Sequence, residues 1–444
     1  MEFFGKTKKD EVATPGQPRV FSNLQENYTD SIGRVVQGGE DSSALVVQMA
    51  DSVLDSAIKE RASDIHIELH GEQMKVRFRV DGLLEDYIHG PSHPNFPLNV
   101  RFRILAGFDP TPPNPFRVED GRFMKNVTGR PVQFRVSSFP TVDGEKLVLR
   151  VMDHAAIGLP LEQVGFLPDD LTLMAKLIQS TYGIIFVTGA TGSGKTTTLY
   201  AMLQRLNRKE TNIMTLEDPV EYRLDGMNQA QISARTGFTF EEGLRVILRQ
   251  DPNVIMVGEI RDASTAEIAM RASLTGHLVL TTLHTINATA VIERLFEVGM
   301  PPYLMTSSIL GAIAQRLVRK LCVHCAQPTN PPTQEQLQAS LPWMTKEEAD
   351  QVYKILQQPT AQFKQPMGCS NCGGRGYVGR LGIFEVMHFN EALRNHTLNR
   401  SSGEVIRNSA IQSGMRTLWM DGAAKVAMGV TTWDEVMRVT KAML

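Results

Sequence analysis

Gly183-Ile184-Ile185-Phe186-Val187-Thr188 runs straight into Gly189-Ala190-Thr191-Gly192-Ser193-Gly194-Lys195-Thr196. The first six residues form an apolar run of strand type. The next eight fit G-x-x-x-x-G-K-[ST] at every position. Beyond them, Leu199, Met202, Leu203 and Leu206 fall at the i, i+3, i+4, i+7 spacing of one helix face. Strand, glycine loop and helix in that order make a phosphate cradle. Glycines let backbone N–H groups converge on phosphate oxygens, and the helix N-terminus adds positive potential. The stretch predicts a nucleotide site lined by Gly189, Ala190, Thr191, Gly192, Ser193, Gly194, Lys195, Thr196 and Thr197. Lys195 suits the β- and γ-phosphates, and the Thr196 hydroxyl suits Mg²⁺.

Outward from the loop, short apolar runs at 184–188, 213–217, 254–258 and 278–282 alternate with helix-length segments. That rhythm predicts a parallel sheet of βαβ units. Two acidic groups follow the loop. One is Glu217-Asp218-Pro219-Val220-Glu221. The other is Gly258-Glu259-Ile260-Arg261-Asp262, in which Glu259 closes an apolar strand, a usual place for an acid near Mg²⁺. The pair is Gly-Glu, not the commoner Asp-Glu. His277 and His284 bracket the run 278–283. Seven residues apart, they fall on opposite faces of a regular strand, and either is a candidate for sensing the nucleotide.

The 444 residues allow two to four domains. Residues 1–42 are polar and read as a mobile leader. Residues 43–155 read as a smaller N-terminal α/β domain, with strand-like alternation at 64–69, 75–80, 132–136 and 147–151. Residues 156–444 form the nucleotide-binding domain, with a helical C-terminus over 386–444. Charged residues at 21% and hydrophobic residues at 42% exclude wholesale disorder. Lys and Arg number 46 against 48 Asp and Glu, a net charge of −2, so no basic surplus points to nucleic acid. No run of 18 apolar residues marks a transmembrane helix, and no signal-peptide pattern opens the chain. A cytoplasmic protein is expected.

All four cysteines fall in two pairs, Cys322-Val-His-Cys325 and Cys369-Ser-Asn-Cys372. Two C-x-x-C knuckles supply the four thiolates of a structural Zn²⁺ site. Disulfide or redox chemistry is the weaker alternative. With no ligand position left for water, such a zinc would stabilise a subdomain at 316–385 and would not hydrolyse anything.

These motifs together resemble the secretion ATPases of type II secretion and type IV pilus assembly, over about residues 45–444. The resemblance rests on Ala62–Glu68 with Arg77–Gly82, the loop Gly189–Thr196, and the acidic box Glu217–Glu221. It rests also on the atypical Gly258–Asp262, on Thr275–Thr285 with both histidines, and on the frame around the cysteines (Gln315–Arg319 and Gly379–Glu385). It implies a PAS-like first domain and a RecA-like ATPase domain with a zinc-binding insertion. It also implies a homohexameric ring, with each nucleotide between a chain's own two domains. By position, Glu221 would polarise the attacking water, with Glu217 and Asp218 in support, and Glu259 would hold Mg²⁺. Arg135 and Arg150 would close over the phosphates. Arg245 and Arg249 would be further site or interface arginines. The implied activity is Mg-dependent ATP hydrolysis driving pilus or pseudopilus assembly at the inner membrane. The partner would be an inner-membrane platform protein, and no nucleic acid is expected. Pilus retraction or DNA translocation by the same superfamily is the alternative. Assembly members often carry a longer N-terminal docking domain than the 42 residues present here. Retraction ATPases lack the cysteine knuckles.

Overall fold

The computed structural model describes residues 41–441 apart from 72, 92–97, 111–117, 128, 153–157, 234, 339–341 and 343. The expected leader therefore lies, but for its last two residues, outside the described residues. The chain divides into two units, Met1–Ala155 with Met367–Gly376, and Ala156–Pro366 with Tyr377–Leu444.

The first unit is built on an antiparallel sheet of six strands. These are β1 (Ala62–His70), β2 (Gln73–Val80), β3 (Leu83–Pro91), β4 (Asp120–Val127), β5 (Arg130–Thr141) and β6 (Gly144–Met152), in the order β3-β2-β1-β6-β5-β4. Alternation along each strand sends Ile65, Ile67, Phe78, Phe134, Val136, Leu147 and Leu149 to one face. The helices Asp41–Lys59 and Leu98–Ala106 bury that face with Val53, Leu54 and Phe102. The other face carries Asp64, His66 and Glu68 from β1 and arginines from its neighbours.

The second unit holds a seven-stranded sheet. Its strands are β7 (Gly183–Thr188), β8 (Ile213–Glu217), β9 (Asn228–Gln231), β10 (Val254–Val257), β11 (Leu278–Leu283), β12 (Ile309–Leu321) and β15 (Tyr377–His388), ordered β15-β12-β7-β11-β10-β8-β9. The β12–β15 pair is antiparallel and every other pairing is parallel. Every residue of β7, β10 and β11 is buried. Ile184 and Phe186 enter one core while Ile185 and Val187 enter another, because helices cover both faces. This double burial explains why these strands read as unbroken apolar runs. The short β13 (Gln327–Pro328) and β14 (Lys364–Gln365) pair with each other, antiparallel. Four helices between Glu391 and Thr440 end the described chain, although β15 runs to His388, three residues into the stretch expected to be helical.

Candidate nucleotide site and cysteine cluster

The glycine loop leaves the C-terminal end of β7 at Thr188. Register sets Thr188 beside Leu283 of β11 and Ala314 of β12. The loops after β7, β10 and β11 therefore open at one edge of the sheet, where ligands bind in open α/β sheets. The loop closes on the helix Lys195–Leu206 through Gly194, whose φ of 90° favours glycine. Gly189 has a φ of 149°, and a Cβ there would lie 2.6 Å from the Gln315 carbonyl oxygen. Only glycine fits so close to the β12 backbone.

Lys195 Nζ donates to the Gly189 and Ala190 carbonyls at 2.9 and 3.2 Å. Burial pushes its pKa down, the nearby Arg316 charge adds to that, and Glu259 opposes it. Thr196 is half-buried and Thr197 exposed at the start of the helix. Glu259 lies two residues beyond β10. It pairs with Arg261, and its Oε2 is 3.7 Å from His284 Nε2. Burial lowers the His284 pKa, and the Lys195 charge lowers it further. Neutral His284 is therefore the favoured form at pH 7. Thr196 and Glu259 offer hydroxyl and carboxylate oxygens, the hard donors that Mg²⁺ selects. Asp262, beyond this group, caps the helix Ala263–Leu274 by accepting from the Thr265 amide at 2.8 Å.

The acidic box is split by burial. Glu217, the last residue of β8, is 3% exposed. Its carboxylate accepts from the Tyr200 hydroxyl, from Thr215 Oγ1 at 2.6 Å and from Gln229 Nε2 at 3.0 Å. Burial and the Glu217 charge push the Tyr200 phenol far above its ordinary pKa. Glu217 is thus a packed member of the interior. Asp218 is exposed, with one oxygen 3.4 Å from Arg261. Glu221 is half-buried in the following loop.

The remaining expected residues lie on other elements. His277 precedes β11 at the opposite edge of the sheet, and its Nδ1 lies 2.9 Å from the Ala272 carbonyl oxygen. The strand therefore separates His277 and His284 lengthwise. Arg245 pairs with Glu241 at 2.9 Å, one turn back on the helix Phe240–Ile247, and Arg249 is exposed just beyond that helix. Arg135 and Arg150 lie in the first unit, directly opposite each other on β5 and β6, and both are exposed.

Two residues at the loop were not expected there. Gln315 Nε2 donates to the Ser193 carbonyl at 2.8 Å, and Gln315 Oε1 accepts from Thr198 Oγ1 at 2.8 Å. Gln315 is 1% exposed, so these bonds satisfy a buried amide. Arg316, also buried, has its pKa lowered by burial. In the sequence both belong to the frame around the cysteines. The available signal was two polar residues ending the run Ile309–Ala314.

The sulfurs of Cys322, Cys325, Cys369 and Cys372 all lie within 4.8 Å of one another. Cys369 Sγ and Cys372 Sγ are 3.7 Å apart. A zinc tetrahedron with Zn–S near 2.3 Å has S···S edges of about 3.8 Å, so the cluster fits four-coordinate Zn²⁺. The Cys369 and Gly376 amides lie 3.1 and 3.2 Å from Cys372 Sγ and donate to it, which favours its thiolate. Gly373 and Gly374, with φ of 61° and 79°, turn the chain around it.

The sequence model of the family described as "Type II/IV secretion system protein" matches residues 39–438. The chain is 43% identical over 429 residues to type II secretion system protein E of Pectobacterium carotovorum, covering 96% of this chain and 81% of that one. It is 42% identical over 403 residues to type II secretion system ATPase E of Vibrio cholerae, covering 90% and 76%. Among solved structures it resembles the Legionella pneumophila ATPase DotB, with a TM-score of 0.61 and 22% identity over 89% of this chain and 95% of that one. The pilus retraction motor PilT with bound ADP matches with a TM-score of 0.55 and 24% identity, over 88% and 96%. These structural likenesses speak for the fold alone, which is RecA-like. A family match across most of the chain, and relatives this similar over most of their own length, establish that the chain belongs to the Type II/IV secretion system protein family.

Proposed function

We propose that the chain is a motor ATPase that hydrolyses ATP to drive assembly of a pilin-like fibre, in type II secretion or the closely related type IV pilus. The observation that carries this reading is the meeting of Lys195, Glu259 and His284 beside the glycine loop, in a chain of this family. Relatives named for type II secretion favour that machine of the two.

In this reading the loop amides of residues 189–196 hold the phosphates and Lys195 neutralises them. Its lowered pKa reflects a charge held out of water, where its attraction for phosphate is stronger. Mg²⁺, held by Thr196 and Glu259, would supply further charge neutralisation. Glu221 orients the attacking water, and Glu217 with Asp218 supports it, Glu217 by fixing the end of β8. His284 senses the nucleotide next to Glu259, and His277 acts, if at all, from the other edge of the sheet. Arg135, Arg150, Arg245 and Arg249 balance charge that develops on the γ-phosphate. The zinc staples its subdomain and takes no part in hydrolysis. Working as a homohexamer, the protein would act at the cytoplasmic side of the inner membrane, through a membrane partner. Among the described residues, no helix is long and apolar enough to cross a membrane.

The test is complementation. Deleting the gene should abolish secretion or piliation. The wild type should restore it and Glu221→Gln should not. Restoration by Glu221→Gln would contradict the water-activating role.

A further inference from the structure

Beyond β11 the chain runs His284-Thr285-Ile286-Asn287-Ala288 before the helix Ala290–Glu297. His284 and Ile286 are exposed, so side-chain packing does little to hold this segment. Hydrogen bonds hold it instead. Thr188 Oγ1, at the root of the phosphate loop, accepts from the Thr285 amide at 2.8 Å and donates to the Thr285 carbonyl at 3.0 Å. Arg316 Nη2 donates to the Ile286 carbonyl at 3.4 Å. The far end is held by Glu385 of β15, whose Oε2 accepts from the Ala288 amide at 3.0 Å.

Register places Thr188, Ala314 and Glu385 in one row across β7, β12 and β15. Thr188 and Glu385 thus grip the same segment from two strands that are not neighbours, and Ala314 between them carries only a methyl group. Glu385 is 1% exposed. A buried carboxylate is costly unless its oxygens are satisfied. Its Oε1 accepts from the Leu418 amide at 3.2 Å and from Arg407 Nη2 at 3.4 Å. Leu418 opens the helix Leu418–Ala427, and Arg407 also pairs with Glu348 at 2.7 Å. Those contacts serve packing. Oε2, by contrast, is given to the segment that carries His284.

The geometry points to Glu385 as a positioning residue for ATP hydrolysis: by fixing the Ala288 amide it holds the segment 284–288 against the phosphate loop, and so keeps His284 beside Glu259. This rests on the reading that His284 acts at the nucleotide, and Glu385 acts only through it. An exposed imidazole on a short loop is placed accurately only when both ends of that loop are anchored. Misplacing a working group by about 1 Å costs up to about 100-fold in rate.

Steady-state ATPase kinetics of the purified full chain test this through a double-mutant cycle. Glu385→Gln keeps the shape but offers the three donors one acceptor oxygen in place of two. Glu385→Asp keeps the charge that faces Arg407 and draws the carboxylate back by one C–C bond, about 1.5 Å. Each should lower kcat by about tenfold or more and leave KM for ATP unchanged. Arg407→Lys, which disturbs only the packing side of the same carboxylate, should lower the melting temperature and keep kcat. In a His284→Ala background, Glu385→Asp should lower kcat no further. Wild-type kcat in both Glu385 variants would overturn the inference. So would a loss of kcat that simply follows the melting temperature across Glu385→Gln, Glu385→Asp and Arg407→Lys, since Glu385 would then be purely structural. If His284→Ala lowers kcat and Glu385→Asp lowers it again by its full factor, the inference is overturned and the reading of His284 stands. If His284→Ala keeps the wild-type kcat, both fall.

Discussion

Gln315 holds the end of the phosphate loop, donating from β12 to the Ser193 carbonyl at 2.8 Å across 122 residues of sequence. The same amide accepts from Thr198 on the helix that follows the loop. One buried side chain thus ties loop, helix and neighbouring strand together.

Gln315→Leu should leave the Ser193 carbonyl and Thr198 hydroxyl without that partner while keeping the strand apolar. A buried group left unsatisfied costs about 1–3 kcal/mol, so KM for ATP should rise by about tenfold or more. Steady-state kinetics with a matched circular dichroism spectrum checks this. An unchanged KM would mean that the loop holds its shape without Gln315.

Glu217→Ala should act mainly on stability. It removes the acceptor of three donors, the buried Tyr200 and Thr215 and the half-buried Gln229. A loss of about 2–4 kcal/mol is expected in denaturant unfolding. Glu217→Gln, which keeps the shape, should recover a large part. Wild-type stability in Glu217→Ala would show that the buried network contributes nothing.

His66 should make the protein acid-sensitive. Both ring nitrogens are buried without a partner, and the pKa is lowered by burial first, then by Lys146 and Arg79. The unfolded chain therefore binds more protons than the folded one between the lowered value and the ordinary 6.5. This contribution to stability is present above about pH 6.5 and is lost as pH falls below it. The melting temperature should drop on acidification from pH 7 to 5, and His66→Gln should flatten the slope. An identical slope in that variant would remove His66 as the cause.

Purified protein should contain about one zinc per chain, held by the four sulfurs that lie within 4.8 Å of one another. Stripping the metal, or Cys372→Ser, should lower the melting temperature of the chain. A metal-free protein with unchanged melting would contradict the site.

Part of this architecture was legible because burial left a pattern. The runs at 184–188, 213–217, 254–258 and 278–282 sit in strands covered on both faces, so they read as continuous apolar segments. The glycine loop was legible because its backbone tolerates no Cβ at Gly189. The two knuckles were legible because the spacing of metal thiolates is local. What stayed hidden is long-range or lightly buried. In β4 only Phe123 and Val127 are buried, four residues apart, so no period of two appears. β3 opens with Leu83-Leu84-Glu85-Asp86, and its acids obscure the strand. Gln315 and Arg316 reach the loop only because β12 pairs with β7, a neighbourhood no local spacing reveals.

Phosphate release from ATP by the purified full chain tests the central claim most directly. The wild type should turn over repeatedly, and Lys195→Ala should be slower by about 100-fold or more, in keeping with the loss of a charge that contacts the transferred phosphoryl group. ATP binding without phosphate release by the wild type, or full-rate release by Lys195→Ala, would contradict it.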